Sequence, residues 1–424
     1  ACVITLFQRG NTVNRSPLSR RTTTALAVAA AAALGLSACS GASTPGSGGD
    51  GADVTSLALW DGWTQYDADS PWGQLLASCE AETGVTVERT SDQATPDNLL
   101  QAASSGEVPD LVVLDNPLVA QFAETGILVD NETSGLDASA QSENIAAAAQ
   151  VDGQTYGASV GSNTLALFYN TEMLAAAGLQ PPTDWAELQA AVAALTQGDV
   201  KGIAFSAVNT EEGSFQFEPF FWGAGADLAQ LDSPEAVEAL TLWTDWIQSG
   251  QASQANLNAN QQDVRDQFMA GTAAMMVNGT WQLNTLDEAG TPYAVVPLPA
   301  VDGGAAPGPL GGEFIEVVAS GDDARQAKAA EFAGCIIEPT NLSAWTTGQS
   351  YIQPYADAAE QQAVDNPALV PWVEAVGAAR GRTAELGAGY PDVSRALWTA
   401  MQEALTGSKT PQQALTDAQA SVSS

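Results

Sequence analysis

The sequence predicts an α/β protein of two or three lobes, and three observations carry that prediction. From Leu57 onward, short apolar runs alternate with amphipathic stretches, as in βα units around a parallel sheet. The run Leu111-Val112-Val113-Leu114 is apolar on both faces, as a central parallel strand is. Setting aside the first 38 of 424 residues leaves 386, enough to bury two or three separate cores.

Those first 38 residues are set aside because they read as an export signal. Arg20 and Arg21 precede an unbroken run of small and apolar residues from Ala25 to Leu36. As a helix the run reaches only about 18 Å, short of the roughly 30 Å hydrocarbon core of a bilayer. It ends in Leu36-Ser37-Ala38-Cys39, which resembles a bacterial lipobox, and this implies a lipid on the Cys39 sulfur. Residues 39–54 follow as a Gly/Ser/Asp-rich tether with too little apolar surface to fold. The expected location is the outer face of the cell membrane, held there by lipid.

Beyond residue 38 the chain carries 50 acidic against 9 basic residues, a formal charge of −41. That excludes nucleic acid as a partner, which needs a basic face, and suits a solvated acidic surface. The chain has no histidine, so the usual general base and the commonest zinc ligand are missing; no metal and no cofactor are expected. Two cysteines remain besides Cys39 in this part, Cys79 and Cys335, either a disulfide or two buried thiols.

Leu57–Asp61, Val85–Arg89 and Asp110–Asp115 are the first expected strands, with helices at Trp72–Glu82 and Pro96–Ser105 between them. Asp184, with Glu187 three residues on, forms a helix cap; Trp185, Leu188, Val192 and Leu195 then recur at helical spacing. Ser233-Pro234 opens another helix, whose buried stripe is Val237, Leu240, Trp243 and Trp246 or Ile247. Later strands are expected at 273–277, 293–298 and 314–319, with a Gly/Pro-rich loop at 302–312 and a capped helix from Thr410-Pro411.

The order of motifs resembles the extracellular solute-binding proteins of ABC importers, in the large sugar-binding family of the maltose-binding type. The matching pieces are Pro109-Asp110-Leu111-Val112, Leu167-Phe168-Tyr169-Asn170, Ala177-Gly178-Leu179, Phe268-Met269-Ala270-Gly271, Asn278-Gly279-Thr280-Trp281 and Gly311-Gly312. The resemblance implies a two-lobed periplasmic-binding-protein-like α/β fold with crossing hinge strands and a central ligand cleft. It implies residues 55–160 and 299–340 in one lobe and 161–298 and 341–424 in the other. Cys79 and Cys335 then share a lobe, which favours their bond. The implied partners are a small polyhydroxylated solute and membrane permease subunits, with the protein itself a monomer.

Thr347 to Pro354 and Arg380-Gly381-Arg382 are similar to the glycerol-3-phosphate-binding branch of that family. That likeness implies ligand contacts from Ser162, Gly311, Gly312, Tyr351 and either Arg380 or Arg382. Sugars need fixed polar groups beside aromatic walls. Asp61 and Trp63 follow the first strand and Asp115 ends the third, at the sheet edge where α/β proteins place ligands. Glu218, amid Phe215, Phe217, Phe220, Phe221 and Trp222, and Trp281 after an Asn-Gly turn complete the candidate set. The expected function is solute capture for import, with a carbohydrate or a glycerol phosphate as ligand. A solute sensor and a two-carboxylate glycosidase are the rival classes.

Overall fold

The computed structural model describes residues 54–423. Cys39 and almost all of the tether lie outside them, so the lipobox expectation has no structural counterpart here. Among the described residues, no helix is long and apolar enough to cross a membrane.

Strands β1 (Ser56–Asp61), β2 (Thr86–Ser91) and β3 (Leu111–Asp115) lie in parallel, with β1 between the other two. A small hairpin, β4 (Gln150–Val151) and β5 (Gln154–Thr155), precedes β6 (Ala158–Ser159). The chain then leaves this sheet to form a second one from β7 (Leu165–Asn170), β8 (Met275–Gly279) and β9 (Tyr293–Val296), in the order β8-β7-β9. It returns as β10 (Glu313–Val317), completing a five-stranded sheet of order β2-β1-β3-β10-β6. The fold is two-lobed, and its two larger sheets are separate from each other.

The expected parallel pairing holds for β1 to β3 and fails elsewhere. Strand β10 runs antiparallel to β3 and β6, and in the second sheet the central β7 runs antiparallel to both β8 and β9. The crossing explains β10: the returning chain enters at the edge where β3 ends, so Glu313 is paired with Asp115.

The crossing segments run side by side. Asn163 bridges Gly311, Ser162 bridges Ile352, and Pro309 bridges Arg380. Glycine is required at this seam. A Cβ on Gly311 would lie 2.1 Å from the Asn163 side-chain oxygen, and one on Gly312, at φ +114°, 2.2 Å from the Gly161 carbonyl.

Helices close over each sheet where the sequence places caps. The Ser70, Ser233 and Thr410 side chains each accept from the backbone three residues on. Asp184 accepts from Glu187 N–H at 2.8 Å, but the Glu187 carboxylate reaches back to Thr183 rather than to Asp184, one residue beyond a reciprocal capping box. Trp185, Leu188, Val192 and Leu195 are buried in one core with Leu240, Trp243, Trp246 and Ile247.

The first lobe's core includes Trp72, Cys79, Cys335 and Trp345. Cys79 and Cys335 form a disulfide between helices Pro71–Thr83 and Asp323–Ile337. Linking residues 256 apart removes much denatured-chain entropy; such bonds typically contribute about 2–4 kcal/mol. Helix Pro339–Gln349 packs on these same two helices. Residues 341–349, expected with the second lobe, therefore sit against the first, because Leu342 and Trp345 fill its core.

Candidate functional site

A cavity of about 360 Å³ opens where the crossing segments meet the ends of β1, β3 and β10. Seven expected residues line it: Trp63, Asp115, Trp281, Gly311, Gly312, Tyr351 and Arg382. Three do not, namely Asp61, Ser162 and Glu218, and each has a structural reason for its place.

Asp61 is fully buried and paired with Arg89 through N–O distances of 2.5 and 2.8 Å. Its carboxylate also accepts from Trp72 Nε1 and from the Trp63 backbone N–H. Arg89 in turn donates to the Trp63 and Tyr66 carbonyls. Asp61 thus holds the loop that presents Trp63, Gln65 and Tyr66 to the cavity without entering it. Trp63 lies 4.8 Å from Trp345 and 4.9 Å from Trp72 between ring centroids, so its ring is braced from behind. The Tyr66 hydroxyl donates to Gln349, which also lines the cavity.

Ser162 is buried in the crossing strand, where its backbone N–H is bonded to Ile352. Its neighbour Asn163 lines the cavity instead, since successive residues of extended chain face opposite sides.

Glu218 lies two helical turns beyond Glu211, below the cleft. On helix Glu211–Gly223, Glu211 and Phe215 line the cavity and Glu218, at i+7, continues the same face into the core. Burial, then the Glu211 charge, push its carboxyl up to about 8. The Tyr390 hydroxyl lies 2.7 Å from both Glu211 and Glu218. One hydroxyl carries one proton, so one of the two carboxyls must itself be the donor. Burial, which favours the protonated form of both carboxyls, works in that direction.

Arg382 is the guanidinium of the cleft, with a side chain only 1% exposed. It donates to Asp115 at 2.5 Å, to Glu211 at 2.8 Å and to the Leu310 carbonyl, and lies 4.9 Å over the Phe215 ring. Burial opposes its charge, but Asp115, Tyr390 and Glu211 outweigh that and hold its pKa well above the usual value. Arg380 is directed elsewhere, stacked 4.9 Å over Trp222 and paired with Glu385. Asn116 donates to the Leu310 and Gly312 carbonyls and shapes the seam from outside the cavity.

Sequence reasoning missed Gln65, Tyr66, Asn163, Glu211, Glu212, Gln261, Gln262, Glu313 and Gln349. Most are sequence neighbours of residues it found: Tyr66 follows Trp63 in one loop, and Glu313 follows Gly311-Gly312. Gln261 and Gln262, opening helix Gln261–Met269, carry no such signal. Glu313 is pushed up to about 8 by burial and by Asp115, and its Oε2 is buried with no hydrogen-bond partner. Burial also raises Glu212, whose Oε1 accepts from Ser206 and the Gln261 N–H.

The cleft therefore combines Trp63 and Tyr66, from the loop after β1, with Phe215, from helix Glu211–Gly223, and Trp281, which follows β8, and hydrogen-bonding groups among them. Such a surface suits a guest with apolar ring faces and a hydroxylated rim. Among the described residues no group of three or more acidic or cysteine side chains is placed to hold a metal ion.

Residues 74–371 match the family model for bacterial extracellular solute-binding proteins. A binding protein of Brucella abortus is 25% identical over 215 residues, 48% of this chain; the chain thus spans about half of that relative, 52% of its length. The maltodextrin-binding protein of Bacillus subtilis is 24% identical over 305 residues, 68% of this chain and 70% of its own. The GacH receptor of Streptomyces glaucescens, solved unliganded and with acarbose, superposes with a TM-score of 0.73 at 25% identity, covering 86% of this chain and 97% of its own.

Proposed function

The chain belongs to the bacterial extracellular solute-binding protein family, and from that premise we propose that it captures a carbohydrate or related polyol in the interlobe cleft and delivers it to an ABC permease. The observation that carries this reading is the cavity itself, where aromatic rings flank hydrogen-bonding side chains at the crossing seam. A guest touching both lobes stabilises their closed arrangement by its differential affinity, and that arrangement is the one presented to the permease. The relative that binds maltodextrin supports an oligosaccharide as guest. Lipid on Cys39 would keep the protein, acting as a monomer, beside its transporter.

The phosphate-bearing alternative finds less support. A phosphate calls for a free guanidinium fork, and Arg382 is already held by Asp115 and Glu211. No carboxylate chemistry on the substrate is needed for the proposed role, so the protein acts as a binder.

The test is calorimetry of the purified protein against maltotriose, longer maltodextrins, common monosaccharides, glycerol 3-phosphate and glycerophosphocholine, with thermal unfolding alongside. A ligand at 100 times its Kd should stabilise the protein by about 2.7 kcal/mol. Binding of a phosphate ester with no carbohydrate binding would overturn the reading. Mass spectrometry of the membrane-extracted protein tests the lipid on Cys39.

A further inference from the structure

We propose that the cleft favours a cationic carbohydrate, one bearing an amine, over its neutral or anionic counterpart. The inference rests on the carbohydrate reading above and adds the charge of the guest.

Four carboxylates line the cavity, Asp115, Glu211, Glu212 and Glu313, against the single guanidinium of Arg382. Asp115 and Glu211 are both bonded to that guanidinium. Glu212 and Glu313 have no cation among the described ion pairs. Glu212 is bonded through Oε1 to neutral donors, and the Oε2 of Glu313 is buried with no hydrogen-bond partner. A guest ammonium beside Glu313 would favour its ionised form and join it through a charge-assisted hydrogen bond. Trp63 and Trp281 also line the cavity, and an indole face attracts cations. An anionic guest meets the opposite: a guanidinium with two carboxylates already on it, and two further carboxyl groups that its charge would keep protonated.

Protonation supports the geometry. Glu313 is faced by Asp115, Arg382, Tyr66 and Tyr351, and burial, then the Asp115 charge, push its carboxyl up to about 8. An ammonium would draw it back down, so capture of a cationic sugar near neutral pH releases a proton, whereas capture of a neutral sugar does not.

Calorimetry on matched pairs tests this: glucose with glucosamine, galactose with galactosamine, and cellotriose with its fully amino-substituted trimer, at pH 6.5 and low salt. The amine member should bind about tenfold tighter, roughly 1.4 kcal/mol. Proton release should be read from the dependence of the heat on buffer ionisation enthalpy. The margin should shrink in 0.5 M salt and in Glu313→Gln; Glu212→Gln serves as the second variant if Glu313→Gln does not fold. Equal or tighter binding of the neutral members overturns the inference and leaves the carbohydrate reading intact. So does failure of every amine to bind while maltotriose binds. If neither the pairs nor any maltodextrin binds, the carbohydrate reading itself falls.

Discussion

Asp61→Asn separates a positioning role from a ligand contact. Asp61 is fully buried and Arg89 is 17% exposed, and two N–O contacts of 2.5 and 2.8 Å join them. Asparagine keeps the size and one acceptor, but leaves the Arg89 guanidinium without a counter-charge. Breaking a buried pair from one side costs about 3–5 kcal/mol, and the partial exposure of Arg89 favours the lower end, ~3 kcal/mol. The described residues 54–423 number 370, and at about 2.1 cal/mol/K each the unfolding entropy is ~0.8 kcal/mol/K. The expected drop in Tm is therefore about 4 °C by calorimetry. Arg89→Met closes a double-mutant cycle, with an expected coupling of about 2 kcal/mol. A coupling below ~0.5 kcal/mol, or an unchanged Tm together with abolished carbohydrate binding, would refute the positioning argument and return Asp61 to the ligand.

Trp281→Ala should remove an aromatic wall and weaken the tightest carbohydrate by about 30-fold, a loss of about 2 kcal/mol; unchanged affinity by calorimetry would exclude Trp281 from the site. Gly312→Ala puts a Cβ 2.2 Å from a carbonyl oxygen at φ +114°. It should lower stability by at least ~2 kcal/mol in urea, and an unshifted midpoint would contradict the seam geometry. Glu218 is raised from 4.5 to about 8 in the folded protein, so over that window the folded state holds more protons than the unfolded. Its contribution is complete below about 4.5 and is lost as pH rises through about 8. Glu218→Gln, which mimics the protonated acid, should flatten that fall in Tm between pH 5 and 8; an unaltered pH profile would show that Glu218 is not the titrating group.

Much of the fold was legible locally. The doubly apolar run at 111–114 marks a central strand because both faces of that strand are covered, and Ser233 and Thr410 announce helices because a cap satisfies backbone groups within three residues. Trp63 and Asp115 were within reach because ligand sites gather where strands end, and Trp281 because it follows an Asn-Gly pair. Tyr351, Gly311, Gly312 and Arg382 came through likeness to a known family instead.

What the sequence by itself determined is part of the set of elements, namely strands β1 to β3 and β8 to β10 and the capped helices, and several stretches of chain that approach the cleft, since propensity, capping and apolar period act over a few residues. Only the tertiary structure decided which side chain of each stretch faces the cavity. Asn163 rather than Ser162 lines it by the alternation of a strand whose register is set 148 residues away at Gly311, and Glu211 rather than Glu218 by the depth of one helix in its core. The same holds for charge. Whether Asp61, Asp115 and Arg382 are free to meet a guest depends on the partners that packing brings to them, and Coulomb interactions fall off with distance in space, not with separation along the chain.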